Sequence, residues 1–421
     1  MNKSLSLGNQ GAPKCWRLVG SSALPSLLGL AGCLAFVLLA CKKPESSTAG
    51  EAPSAATTKA KSPVTINVVD VAGTLALVQT AIEHYRDKHP DTIEKVTFTK
   101  APAPELPGKL KAMQAAGRSD IDIVTTGTDA LAAGIDQGLW TRLLPDYADA
   151  FPGLLDNYLP QAREMQKLAQ GQAIAVVFMP AGPLLEYNPD KVAKAPSSPA
   201  ELLAWAKAHP KRFIYARPRN SGPGRTFLMG LPYLLGDSNP KDPIGGWAKT
   251  WAFLKELGAY VEYYPSGTTA TMKEFGEGSR DMTVTVTGWD INPRAIGIVP
   301  KTYKVAAFHG MTWVNDTQYI AIPKGLSADK LAVVLDLVKF LLQPEQQALT
   351  YDKGFFYPGP AVKDVPLSMA PQESQDVLRE YGRPEYEGWL AQFPHVQPLE
   401  AKAMVAAFDR WDQEIGGQKS K

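Results

Sequence analysis

Val64-Thr65-Ile66-Asn67-Val68-Val69 leads into Asp70-Val71-Ala72-Gly73-Thr74, after which Leu75, Val78, Ala81, Ile82 and Tyr85 recur at helical spacing until His89-Pro90. A run rich in β-branched residues, a glycine-bearing polar loop and an amphipathic stretch predict one strand–loop–helix unit. The rhythm repeats. Val96–Thr99 reads as a strand, Lys109–Ala116 as a helix closed by Gly117, and Ile121–Thr125 as a third strand. Further on, Ala200–Ala208 reads as helix, Arg212–Ala216 as strand, and Thr226–Leu235 and Ile244–Leu257 as helices. Met282–Thr287, Val305–Phe308 and Tyr319–Ile322 read as strands, and Leu331–Leu342 as an amphipathic helix. Alternating strands and helices predict an α/β fold with largely parallel sheets covered by helices. No repeat of fixed period is present, which argues against solenoids and propellers.

Upstream of this region the chain reads as an address and a tether. Lys3, Lys14 and Arg17 flank the apolar stretch from Leu18 to Ala40, which ends in Leu38-Leu39-Ala40-Cys41. That order predicts a lipoprotein signal peptide over residues 1–40, with lipid carried on Cys41. A membrane-spanning helix is the alternative, and Pro25 with Gly20, Ser21 and Ser22 weakens it. Residues 41–62 lack large apolar side chains and cannot bury enough surface to fold. As a flexible coil they would span about 25 Å. Removing Lys3, Lys14 and Arg17 from 44 basic residues leaves 41 against 42 acidic ones, so no general attraction to nucleic acid is expected. Cys15 and Cys33 leave with the signal, so a disulfide or thiolate metal site within one mature chain is excluded.

Open sheets bind ligands at the carboxyl ends of their strands, which directs attention to four loops. Asp70-Val71-Ala72-Gly73-Thr74 follows the first strand and Thr126-Gly127-Thr128-Asp129 the third. Asn220-Ser221-Gly222-Pro223-Gly224-Arg225-Thr226 lies beyond the Arg212 strand, and Thr287-Gly288-Trp289-Asp290 follows the Met282 strand. Each sets glycine and hydroxyl or carboxylate groups before a helix, where free backbone N–H groups meet polar ligands. Singly, each loop reads better as a helix cap, since nearly every helix needs one. Together they point to a ligand site. Asp70, Asp129, Asp290 and Asp316 suit a cationic group, Arg225 an anionic one, and Phe178, Trp289 and Trp313 a ring or quaternary amine. Core packing is the alternative for the tryptophans. Tyr263-Tyr264 would face opposite ways on a strand, one to core and one to surface.

Catalytic signals are poor: the chain has no Gly-x-Ser-x-Gly, no His-Glu-x-x-His and no phosphate loop ending in Gly-Lys-Ser/Thr. Asp120 and Asp122 alternate on a strand and supply the only candidate acid pair, the basis for a surface-anchored hydrolase as a minor alternative. No cofactor and no catalytic residue is expected.

Several phrases resemble one family. The opening at Val64–His89, Ile121-Asp122-Ile123-Val124 with its glycine-containing loop, and Val176-Val177-Phe178 running on to Leu185-Glu186-Tyr187-Asn188-Pro189 carry the resemblance, as does Tyr319-Ile320-Ala321-Ile322-Pro323-Lys324-Gly325. They resemble the extracellular solute-binding proteins of ABC importers, in the class that includes polyamine, thiamine and iron binders; Arg212–Pro218 looks like a separate branch of it. The resemblance implies a two-lobe periplasmic-binding-protein clamshell of type II, each lobe a mostly parallel sheet flanked by helices. Lobe 1 would comprise residues 63–172 and a return at 311–421, and lobe 2 residues 173–310, with hinge crossings near 173–182 and 308–316. It implies a monomer held to the membrane, in the periplasm or at the cell surface, that captures a small polar solute and docks on a permease and its ATPase. A ligand-sensing receptor subunit of the same fold is the alternative. Where polyamine binders carry an acid five positions before the return-strand proline, this chain has Gln318, which sets it apart from them.

Overall fold

Strand Ala173–Gly182 is buried along its whole length, as its unbroken apolar reading Ala-Ile-Ala-Val-Val-Phe-Met requires of a strand covered on both faces. It lies one strand in from an edge of the larger of two sheets in the computed structural model, which describes residues 62–421 other than Ala72, Ala103, Pro104, Pro145, Gln418, Ser420 and Lys421. The expected signal peptide, the lipid on Cys41 and, apart from Ser62, the tether lie outside the described residues.

In chain order the first elements are β1 (Val64–Asp70), α1 (Leu75–Lys88), β2 (Ile93–Lys100), α2 (Leu106–Ala115), β3 (Ile123–Thr126) and α3 (Thr128–Asp136). Then come α4 (Leu154–Asn157), α5 (Pro160–Leu168), β4 (Ala173–Gly182), β5 (Leu184–Tyr187), α6 (Pro199–Ala208), β6 (Phe213–Ile214), α7 (Gly222–Leu235), α8 (Ala248–Gly258) and α9 (Thr268–Gly276). The remainder is β7 (Met282–Thr285), α10 (Ile291–Ala295), β8 (Lys304–Ala307), β9 (Trp313–Ala321), α11 (Ala328–Leu341), α12 (Pro344–Gln347) and β10 (Gly359–Pro360). The chain closes with α13 (Gln372–Tyr381), α14 (Glu385–Gln392), β11 (His395–Val396) and α15 (Ala401–Trp411).

The larger sheet runs β10-β4-β9-β3-β1-β2, with β11 also on β9, and the smaller runs β6-β7-β5-β8. The expected α/β fold is present, but its sheets are mixed rather than mostly parallel. β1 is parallel to β2 and β3, as the repeated strand–helix units require, whereas β9 is antiparallel to both β3 and β4. In the smaller sheet β5 is antiparallel to both β7 and β8, and only β6 and β7 run parallel. The antiparallel members are those that carry the chain between sheets: β4 runs on into β5, and β8 leads back to β9. These two links join one sheet to the other without a helix, so they are not the right-handed βαβ crossovers that keep neighbouring strands parallel.

Two boundaries moved for identifiable reasons. The strand read at Tyr319–Ile322 begins at Trp313, because the polar run Asn315-Asp316-Thr317-Gln318 is buried. Buried polar groups of this kind are kept by tertiary partners. The helix read from Ile244 starts at Ala248, since Asp242 ties Ile244 and Gly245 N–H into a turn and Asp237 accepts from Lys249 and Thr250 N–H at the helix start. At the C-terminus, α15 packs along α3, and Trp411 packs edge-on to Tyr215 and Tyr264 with ring centroids 6.1 and 4.9 Å away. Tyr264 is thus core, as read, whereas Tyr263, read as surface, is half-buried with its hydroxyl donating to Glu274.

Candidate functional site

Because β1 and β3 are parallel neighbours, with Asp70 opposite Thr125, their carboxyl ends open at the same edge of the larger sheet. Gly73 follows the first and Asp129 the second, while β9 brings Asp316 and Gln318 and β4 brings Met179. Facing them are elements of the smaller-sheet half: the amino end of α7, with Asn220, Ser221 and Arg225, the amino end of α9, and Trp289 from the loop after β7. Together these enclose a cavity of about 780 Å³. The local sequence explains the two facing helix starts. Ser221 has extended backbone and its Oγ accepts from Gly224 N–H at 3.1 Å. That hydroxyl also shares a 2.9 Å hydrogen bond with Thr268 Oγ1, which fixes α7 against α9. Gly224 has no room for a side chain, since a Cβ would lie 2.4 Å from the Ala216 carbonyl oxygen.

Arg225 is the electrostatic centre. Its side chain is 7% exposed and donates from Nη2 to Asp316 Oδ2 at 2.5 Å, while Nη1 lies 3.4 Å from Asp129 Oδ2. Burial by itself would lower the Arg225 pKa, but Asp316 and Asp129 outweigh it and raise the value, so the guanidinium stays charged. Asp316 Oδ1 in turn accepts from Thr317 N–H at 2.9 Å and from Thr128 Oγ1 at 3.4 Å. One guanidinium thus faces two carboxylates across the boundary between the halves. Trp289 and Phe355, with ring centroids 5.3 Å apart, supply apolar faces.

Of the residues singled out in the sequence, Gly73, Asp129, Asn220, Ser221, Arg225, Trp289 and Asp316 line the cavity. The others stand behind it or away from it. Asp70 is buried and accepts from Leu75 N–H and Thr125 Oγ1, so it holds the start of α1. Gly127 and Thr128 form the start of α3, with Thr128 bound to Asp316. Gly224 and Thr226 are inside α7, and Thr226 Oγ1 donates to the Gly222 carbonyl. Thr287 donates to the Tyr357 carbonyl. Phe178 pairs in register with Thr317 and Gly359, a core position. Trp313 is fully buried and donates from Nε1 to the Trp389 carbonyl.

Asp290 departs furthest from its expected place. Its carboxylate accepts from Arg383 Nε at 2.5 Å, from Arg294 Nη2 at 3.4 Å and from the Tyr386 hydroxyl, a buried cluster outside the cavity lining. The loop is turned this way by contact with the C-terminal return. Gly288 has φ +92°, and a Cβ there would lie 2.5 Å from the Phe355 carbonyl oxygen. The candidate acid pair also separates in role: Asp122 is buried against Lys330 at 3.0 Å and Asn67 N–H at 2.8 Å, whereas Asp120 is exposed beside Arg118.

Sequence reading missed Ser266, Thr268, Thr269 and Lys273 at α9, as well as Met179, Phe355 and Phe356. Ser266-Gly267-Thr268-Thr269 carried the same glycine-and-hydroxyl signal as the other loops but followed no recognisable strand. Gln318, read only as a departure from polyamine binders, lines the cavity and accepts from Thr74 Oγ1 at 2.6 Å. Among the described residues no cluster of three or more His, Cys, Asp or Glu side chains could hold a metal ion, and no helix is long and apolar enough to cross a membrane.

Solved structures share this fold. The spermidine/putrescine ABC transporter substrate-binding protein PotD of Streptococcus pneumoniae has a TM-score of 0.57 at 14% identity, over 83% of this chain and 98% of that one. Ferric ion-binding protein A of Pasteurella haemolytica has 0.58 at 16%, over 83% and 97%. The periplasmic binding protein AfuA of Actinobacillus pleuropneumoniae, solved with fructose-6-phosphate, has 0.60 at 14%, over 83% and 98%. No curated protein matches the chain in sequence. The family described as bacterial extracellular solute-binding protein matches residues 80–378, well over half of the chain. This chain, with its cavity between two sheet-centred halves and its two direct strand connections, belongs to the bacterial extracellular solute-binding proteins.

Proposed function

We propose that the protein is the solute-capturing subunit of an ABC importer, held to a bacterial membrane by lipid on Cys41 and delivering a small polar solute to a permease and its ATPase. The observation that carries this reading is the position of Arg225, buried at the cavity between the halves and bound to acids of the opposite half. Lobe 1, built on the larger sheet, and lobe 2, built on the smaller, would close on the solute by bending where β4 runs on into β5 and where β8 leads back to β9; the expected boundary at 173 moves to the end of β4, because that strand pairs along its length with β9. Sequence similarity to binding proteins along residues 80–378 supports capture without chemistry.

The test is a thermal-shift screen of the protein against amines, amino acids, vitamins, sugars, oxyanions and metals. A solute at a hundred times its dissociation constant should stabilise the fold by about 2.7 kcal/mol. Saturable stabilisation with unchanged solute recovered afterwards is the expected result. Turnover of the bound compound, or no stabilisation by any class, would overturn the reading.

A further inference from the structure

We infer that the solute is a zwitterion, a small molecule with a cationic group and an acid group joined by an apolar body; this rests on the reading of the cavity as a solute site. Four charged side chains line the cavity, the two acids from one half and the two cations from the other. Asp129 on α3 and Asp316 on β9 belong to the larger-sheet half, and Lys273 on α9 to the smaller-sheet half. Arg225 reaches from α7 to the two acids and, as one cation for two carboxylates, leaves that wall with net negative charge. Asp129 is the more accessible acid, 13% exposed, and its 3.4 Å contact with Arg225 is the looser of the two. An incoming ammonium group therefore has a place beside Asp129.

The opposite wall has the opposite polarity. Lys273 is 73% exposed, and Glu277, one turn along the same helix, is 3.9 Å away, a contact worth little in solvent. Lys273 lies in the last turn of α9, one turn beyond Thr269, and the amino end of the same helix, which Gly267 leaves without a side-chain cap, also lines the cavity. Positive charge and free N–H groups together favour an anionic group there. Trp289 and Phe355 offer apolar surface to the body of the solute. A purely cationic solute would meet Lys273, and a purely anionic one would meet two carboxylates; like charges brought together in a closing cleft oppose binding.

The test is calorimetric titration of the full-length chain with four sets of probes. Zwitterions are the proteinogenic amino acids, glycine betaine, carnitine and 5-aminovalerate; amines are putrescine, spermidine and choline; anions are phosphate, succinate, citrate and glucose 6-phosphate; neutral probes are glucose and maltose. Each zwitterion that binds is compared with its analogue lacking the acid and its analogue lacking the amine. Lys273→Gln should weaken the zwitterion roughly fivefold and leave the acid-free analogue unchanged, and Asp129→Asn should likewise weaken the zwitterion without weakening the amine-free analogue. Lys273 is exposed, so its replacement leaves folding intact. Binding confined to amines, anions or neutral probes would overturn this inference while leaving solute capture standing, as would variants that weaken the zwitterion and both analogues alike. No binding in any set would overturn both.

Discussion

Replacing Asp290 by Ala separates a ligand contact from a structural ion cluster. In sequence Asp290 ends a glycine-bearing loop of the kind that lines cavities, yet the folded chain buries its carboxylate against Arg383, Arg294 and the Tyr386 hydroxyl. Removing it leaves two guanidinium groups facing each other in the interior. The remaining carboxylate nearby, Glu186, has neither oxygen hydrogen-bonded. Breaking a buried ion pair by deleting one partner costs about 3 to 5 kcal/mol. At roughly 2.1 cal/mol/K per residue, a folded region of about 350 residues unfolds with an entropy near 0.7 kcal/mol/K, so the melting temperature should fall by about 4 to 7 °C. The assay pairs a melting curve of the unliganded protein with a titration by the solute that wild type binds. Affinity should change less than about twofold, because the carboxylate does not line the cavity. An unchanged melting temperature with affinity lost would refute the argument and return Asp290 to the binding site.

Glu186 should give the protein a pH signature. Burial first, and the neighbouring Asp290 second, push its pKa well above the usual carboxylate range despite Arg383 and Arg294. The folded state then binds more protons than the unfolded one above the unfolded pKa of about 4.3, so this residue's contribution falls as pH rises toward the folded value. Glu186→Gln should therefore raise stability at pH 8 relative to pH 5, and chemical denaturation showing equal effects at both pH values would count against it. Gly224→Ala places a methyl group 2.4 Å from the Ala216 carbonyl oxygen and should displace the α7 start, lowering solute affinity and melting temperature together; retention of both would show that the contact relaxes freely. Trp411→Ala removes a fully buried ring from between Tyr215 and Tyr264 and should cost roughly 3 to 5 kcal/mol in denaturant unfolding. A loss below about 1 kcal/mol would mean that the α15 end is not packed as described.

Sequence by itself determined the elements whose signal is local. The β-branched run at Val64 and the 3.6-residue spacing through Tyr85 dictated β1 and α1, and Gly117, with φ +65°, ended the second helical region. Glycine-and-hydroxyl loops before helices found Gly73, Asp129, Asn220, Ser221, Arg225 and Trp289, because a helix start needs the same small polar groups that a polar ligand uses. That shared chemistry is also why Asp70, Thr287 and Asp290 looked identical in sequence. Only the tertiary structure decided which loops face solvent space and which face Arg383, Tyr357 or Thr125. It also decided strand direction, since β4 and β9 pass between sheets without a helix and pair antiparallel through contacts more than a hundred residues apart. The buried run Asn315–Gln318 had no legible meaning in one dimension: a polar stretch becomes a central strand only when Arg225, Thr74 and His395 arrive from elsewhere in the chain to partner Asp316, Gln318 and Asn315.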